Sequence, residues 1–223
     1  MPKDTFRRIH KEKQIMILDV AAKEFATHGF HKANINVIAS NAGISVGAMY
    51  RYFKSKKDLF SETLENGLSM LRTKFNNVME ADLDPFSKIR LIFEIPVRFV
   101  KEKPSYLNLY INLLSGGMDD FVKQYAHPIE KVGSDFFKRI IQDGIKKGLI
   151  DKDIDVNAFS FFLDNHLMMF TFSHISLYLK IRQDEFMGGY ADPEYIIDAT
   201  IRICEKIMKV EDHITGVYHM KRL

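Results

Sequence analysis

Residues 34–52 read NINVIASNAGISVGAMYRY, and this stretch decides the fold. Asn34 stands at an N-cap position, and Ile35, Ile38 and Ala39 follow at spacings that turn one side of a short helix inward. Ala42, Gly43 and Ile44 make a tight turn, after which Ser45 caps a second helix reaching about Tyr52. Helix, glycine-containing turn and short second helix, with basic residues beside them, is the helix-turn-helix arrangement. Any pair of antiparallel helices can imitate so short a pattern, so its meaning depends on what surrounds it.

On its N-terminal side, Ile15, Leu18, Ala22 and Phe25 recur at spacings of 3 and 4 in a helix that stops at Gly29. On the other side, Ser55 and Asp58 form a capping box that opens a long helix. Its apolar residues Leu59, Leu64, Leu68, Leu71, Phe75 and Val78 run to about Met79. Asp84 and Pro85 start a fifth helix ending near Lys101, and Pro104 a sixth to about Leu114. Gly116 and Gly117 break the chain, a short turn of helix follows over 119–125, and Pro128 opens a seventh that Gly148 closes. Asp155 caps an eighth to about Ile181, and Asp192 with Pro193 a ninth to about Val210. No alternating strand pattern or hairpin dipeptide occurs. The expected fold is all-α with nine or so helices: a three-helix helix-turn-helix domain over 1–60 and a helical body over 61–223.

Composition agrees with a folded, intracellular chain. With 223 residues, 46% of them hydrophobic, there is enough for a sizeable core. The single Cys204 forms no internal disulfide and excludes a cysteine-based zinc site. The polar segment from Met1 to Gln14 lacks the apolar region of an export signal. The most apolar run, 167–179, is far short of the roughly twenty residues that a membrane span needs. A cytoplasmic location is expected. The net charge of +3 is unevenly placed. Residues 1–60 hold eleven Lys and Arg against five Asp and Glu, which is +6, and the remainder is −3. Such asymmetry suits a polyanion-binding N-terminal part on an ordinary body.

The order Ala21-Ala22, Phe25, Gly29-Phe30, Ile38-Ala39, 42–50, Tyr52-Phe53 and 56–60 resembles the DNA-binding domain of TetR-family transcriptional regulators over about 45 residues. By that resemblance the second helix of the motif enters the major groove. Ser45, Val46, Gly47, Ala48 and Tyr50 are its outward candidates, with Gly47 small enough for close approach. Val46 and Ala48 suit apolar contact with thymine methyl groups better than hydrogen-bonded reading, so a half-site containing A·T pairs is expected. The resemblance also implies phosphate contacts from the Tyr50 and Tyr52 hydroxyls and from Lys56 at the start of the long helix. Asn34 occupies a place where the family commonly carries Thr. Arg51 and Lys54 supply charge at the same edge, with Lys57 and Lys32 nearby. Arg7, Arg8, Lys11 and Lys13 suit either a basic arm into the minor groove or a solvated tail.

The resemblance implies a homodimer on a palindromic double-stranded operator, most simply a repressor released by a small, lipophilic effector. A regulator that activates, or that answers to a protein partner, is the alternative, and a helical enzyme a further one. Against an enzyme, the chain holds no Gly-rich phosphate loop, His-Glu-x-x-His pair or Gly-x-Ser-x-Gly elbow, and its eight histidines are dispersed. No catalytic residue, metal site or cofactor is expected. Polar or adaptable residues in apolar surroundings mark candidate effector contacts: Arg98, Tyr106, Tyr110, Asn112, Asn165, His166 and Met169, with Asp164 beside them. The eighth and ninth helices each carry two apolar stripes, which asks for two packing partners. Phe159, Leu163, Leu167, Phe170 and His174, with Ile197, Ile201, Cys204 and Met208, are the candidate dimer contacts. The other stripes, Phe161, Met168, Phe172, Ile175 and Leu179 with Ile196, Ile203, Ile207 and Val210, would then pack within the subunit. A central position in a monomeric bundle is the alternative.

Overall fold

The computed structural model of the protein describes residues 2–114 and 118–209. Every regular element among them is helical: α1 (Asp4–Arg7), α2 (Lys11–Lys32), α3 (Ile35–Asn41), α4 (Val46–Tyr52), α5 (Lys56–Glu80), α6 (Pro85–Glu102), α7 (Pro104–Leu114), α8 (Asp119–Lys146), α9 (Val156–Ser173), α10 (Leu177–Met187) and α11 (Pro193–Met208). The expected caps hold their helices. Asn34, Ser45, Ser55, Asp84, Asp155 and Asp192 each accept a hydrogen bond from an amide in the first turn that follows. Gly29 and Gly43 take positive φ, 69° and 60°, where a side chain would be strained. They kink the end of α2 and close the α3–α4 turn.

Two apolar cores organise these helices. The first gathers Ile17, Ala21 and Phe25 of α2, Ile38 and Ala39 of α3, Met49 of α4 and Phe60 of α5, then continues to Leu107 and Leu113 of α7 and Phe121 of α8. The helix-turn-helix therefore shares one core with the start of the body. The second joins Ile89 and Phe93 of α6, Phe137 and Ile141 of α8, Leu163 and Phe170 of α9, and Ile197 and Cys204 of α11. Helix α5, about 37 Å long at 1.5 Å per residue, runs from one core to the other.

Four local expectations are corrected. The segment before α2 is neither a free arm nor a tail: α1 folds back, and Phe6 is buried against Tyr52 and Phe53. Pro128 does not open a helix but lies inside α8, because Phe121 and Tyr125 before it and Phe136 and Phe137 after it are all anchored in core. That anchoring outweighs the hydrogen bond that proline removes. The helix expected to reach Ile181 stops at Ser173, and Ser176 caps a separate α10 that ends at a left-handed Gly188. The candidate dimer stripe lies in the subunit's own core. Leu163, Leu167, Phe170, Ile197, Cys204 and Met208 are buried there, Phe159 and Ile201 pack against it, and His174 Nδ1 donates to the Phe170 carbonyl. The face left open carries Phe161, Phe162 and Met169 of α9 and Ile203 and Ile207 of α11. Of the alternative stripes, Phe161, Ile203 and Ile207 are thus outside, whereas Phe172 and Ile196 are buried. Val210 and the Gly116-Gly117 break lie outside the described residues.

Candidate nucleic-acid interface and effector cavity

Helix α4 presents Val46, Gly47, Tyr50 and Arg51 on its exposed side, with Lys54 just beyond its end. Ser45 is exposed too, with its hydroxyl engaged by the Ala48 amide at 3.1 Å. Ala48 itself is buried, so of the two apolar groove candidates only Val46 can meet a base. The Asn34 side chain accepts from the Asn36 amide at 2.9 Å while its own N–H donates to Glu24. Tyr52 is half-buried beside Phe6. Lys56 is turned inward: its ammonium donates to the His31 and Ala33 carbonyls at 2.8 and 3.1 Å and lies over the Phe30 ring. Two of its three N–H groups therefore close the end of α2. Lys57 likewise pairs with Asp120 and sits over Phe121.

A cavity of about 150 Å³ lies in the body, walled by α5, α6, α7, α8 and α9. Its lining is almost wholly apolar: Leu64, Leu68, Leu71 and Phe75 from α5, Ile92, Ile95 and Phe99 from α6, Leu109 and Leu113 from α7, Phe136 from α8 and Leu167 from α9. Arg72, Tyr106, Tyr110, Glu130, Asp164 and Thr171 are the polar groups on its wall. Of the candidate effector contacts only Tyr106 and Tyr110 line it. Arg98 pairs with Glu94 on the surface, Asn112 reaches the Ala26 carbonyl, and Asn165 bonds its own helix at Phe161. His166 bonds Thr200 at 2.8 Å, with burial pushing its pKa down, and so ties α9 to α11. Met169 faces outward.

Asp164, set beside the candidate contacts by the sequence, lines the cavity, whereas Glu130 carries no such signal within its charged stretch. At one corner of the cavity Tyr110 donates to Glu130 at 3.3 Å, and Asp164 lies so close over Gly133 that a Cβ there would overlap its carboxylate. Burial, and then the charge of Glu130, push the Asp164 carboxyl up to about 6. Asp164 is therefore protonated in the fold and ionised in the unfolded chain between about pH 4 and 6, so stability falls as pH rises through that window. Above it a constant cost remains, at most about 2 kcal/mol after allowing for partial exposure. Asp164→Asn is expected to flatten the profile of stability against pH and to raise Tm at pH 7.5 by a few degrees, read by thermal melts from pH 4 to 8. An unchanged profile would show that this carboxylate is solvated.

The cavity is joined to α2, which packs on the helix-turn-helix, through Tyr106. Its ring lies against α5 where Gly67 leaves room, since a Cβ at Gly67 would stand 2.7 Å from the ring. Its hydroxyl donates to Asp19 of α2 at 2.9 Å and accepts from Asn66 of α5 at 2.9 Å. Lys103 adds an ion pair to Asp19 at 2.5 Å. Burial first, and then the Asp19 charge, push the Tyr106 phenol well above its ordinary range, so it remains a donor.

Residues 17–63 match the model of the bacterial regulatory proteins, tetR family. The HTH-type transcriptional repressor KstR2 of Mycolicibacterium smegmatis is 26% identical over 145 residues, 63% of this chain and 69% of the relative. Among solved structures, the transcriptional regulator FadR from Bacillus subtilis in complex with stearoyl-CoA superposes with a TM-score of 0.67 at 18% identity, covering 85% of this chain and 96% of that one. AibR in complex with isovaleryl coenzyme A and operator DNA superposes with a TM-score of 0.59 at 16% identity, covering 86% and 97%. At these identities the structural likeness is one of fold. Among the described residues no helix is long and apolar enough to cross a membrane.

Proposed function

We propose that the chain is a TetR-family transcriptional regulator, a cytoplasmic homodimeric repressor released from a palindromic operator by a lipophilic effector held in the α5–α9 cavity. The observation that carries this reading is Tyr106, which is at once a wall of the cavity and a hydrogen-bond partner of Asp19 in the DNA-reading helices. At about 150 Å³ the cavity is smaller than the roughly 300–1,000 Å³ of most ligand sites. A lipid-sized guest must therefore part α5 from its neighbours, and α5 leads directly to the helix-turn-helix. Effector and operator then favour different arrangements of one molecule, which is the requirement for a switch. The KstR2 name and the two acyl-CoA complexes support a repressor with a lipophilic ligand.

In this reading residues 1–60 read DNA and 61–223 sense and dimerise. Ser45, Val46, Gly47 and Tyr50 face the major groove, while Arg51, Lys54, Tyr52, Asn34 and the remaining N–H of Lys56 serve the phosphates. About 6 phosphate contacts would give a slope near −5 in log affinity against log salt, measured by titration of operator from 50 to 200 mM salt. A flat response would remove this face from DNA binding. Val46→Ala is expected to relax discrimination at one A·T position by about 1 kcal/mol and to leave the slope unchanged.

The open face of α9 and α11 suits the second copy. Phe161 and Phe162 on one helix and Ile203 and Ile207 on the other form a paired apolar surface that a lone subunit leaves in water. Selection of bound DNA fragments, followed by operator affinity with and without candidate compounds, tests the whole proposal. Specific fragments whose affinity falls on addition of a compound are expected. Failure to recover any sequence would overturn it.

A further inference from the structure

The recognition helix α4 has only seven residues, too short to be stable by itself. Its last turn exposes four carbonyls that need donors, those of Met49, Tyr50, Arg51 and Tyr52. The chain immediately after α4 satisfies one of them, with the Phe53 amide donating to Met49 at 2.9 Å. The other three are satisfied from the far N-terminus. The Lys3 ammonium donates to the Tyr50 carbonyl at 2.8 Å, the Thr5 hydroxyl to Arg51 at 2.7 Å, and the Lys3 amide to Tyr52 at 2.8 Å.

The donor segment is itself held at three points. Phe6 is 1% exposed, with its ring 4.7 Å from Phe53 and 5.8 Å from Tyr52. The Gln14 amide of α2 donates to the Arg7 and Ile9 carbonyls at 3.2 and 2.9 Å. Arg7 lies 4.0 Å from Glu62 of α5. The Lys3 charge also stands at the negative end of the α4 dipole.

We propose that Lys3, Thr5 and Phe6 form a C-terminal cap supplied from a distant segment, and that this cap sets the angle at which α4 meets the major groove. They are positioning residues for DNA recognition, and the proposal rests on the reading of α4 as the DNA-contacting helix. The Lys3 ammonium is directed at a carbonyl, so its part in this proposal is at the helix end rather than as a phosphate ligand. Its role is separable from that of Arg8, whose exposed charge suits a phosphate contact.

The test uses the full chain with Lys3→Met and Thr5→Val, singly and together, because these keep side-chain volume while removing donors. Phe6 is left intact so that the core remains filled. Amide hydrogen exchange of α4 is followed in free protein, and binding is measured on a selected operator and on unrelated duplex across a salt series. The double variant is expected to lose protection at Met49–Phe53, to bind the operator about tenfold more weakly, and to bind unrelated duplex within about twofold of wild type with an unchanged salt slope. Arg8→Gln should instead weaken both duplexes alike and flatten the slope. Unchanged exchange and operator affinity in the double variant would overturn the cap. Equal losses on both duplexes with a slope shallower by about 1 would also overturn it, because Lys3 would then be a phosphate ligand. Absence of any sequence preference in the wild type would overturn instead the DNA reading on which the cap rests.

Discussion

Tyr106→Phe will give a protein that still binds its operator and still takes a lipophilic compound, but whose two binding events no longer influence each other. The substitution removes one oxygen and leaves the ring that walls the cavity. It deletes the donor to Asp19 and the acceptor for Asn66, the bonds by which the cavity wall holds α2 and α5 together. A hydrogen bond to a charged partner contributes about 1.5–3 kcal/mol, and coupling between sites in switches of this kind is about 1–3 kcal/mol. The two are of the same size, so the loss of this link removes most of the coupling. The ratio of operator affinities without and with a compound chosen for binding to wild type should shrink at least tenfold. The intrinsic affinity for that compound should change less than threefold. A full ratio in the variant would show that α5 and α8 carry the signal without Tyr106.

The second large effect is expected at the open face of α9 and α11. Phe161→Asp combined with Ile203→Asp replaces two side chains that are 71% and 49% exposed in the subunit, so the fold loses little. In a two-fold dimer each change occurs twice. Every large apolar side chain removed from a buried contact loses about 1.5–3 kcal/mol, and the four carboxylates add desolvation and mutual repulsion. The variant should run at the monomer mass of 25.9 kDa by light scattering at micromolar concentration. With its two half-site contacts uncoupled, it should bind a palindromic operator at least 100-fold more weakly while keeping weak half-site binding. A variant that keeps twice that mass would place the dimer contact elsewhere, with exposed Leu177, Ile181 and Phe186 of α10 the next surface to examine.

The parts of the molecule legible in the sequence are those whose physics is local. Asn34, Ser45, Ser55, Asp84, Asp155 and Asp192 each satisfy amides two or three residues away, so a short window is enough to place them. Gly29 and Gly43 carry the positive φ that their turns require. Local signals also mislead where packing outweighs them. Pro128 suggests a helix start, yet the anchors on both sides hold α8 together. Ser176 is a sound cap hidden in an apolar run whose periodicity continues past it. Selecting effector residues by polarity alone found Tyr106 and Tyr110. It also drew in Arg98, Asn165 and Met169, which point away from the cavity, and overlooked Glu130.

By itself the sequence determined the all-helical class, the helix-turn-helix at 34–52 and a basic N-terminal part on a weakly acidic body. Each of these follows from spacing, capping chemistry or charge, which a linear string records. Three other features depend on which surfaces meet across tens of residues of chain. α6 and α8 take one apolar stripe of α9 and α11 and leave Phe161, Ile203 and Ile207 exposed. Tyr106 lies between cavity and α2 because Gly67 makes room for its ring. Lys3 and Thr5 complete a helix end 46 to 49 residues away. Periodicity shows that a helix has two apolar faces, and composition shows that donors exist. Only the packed chain selects the face and the acceptor.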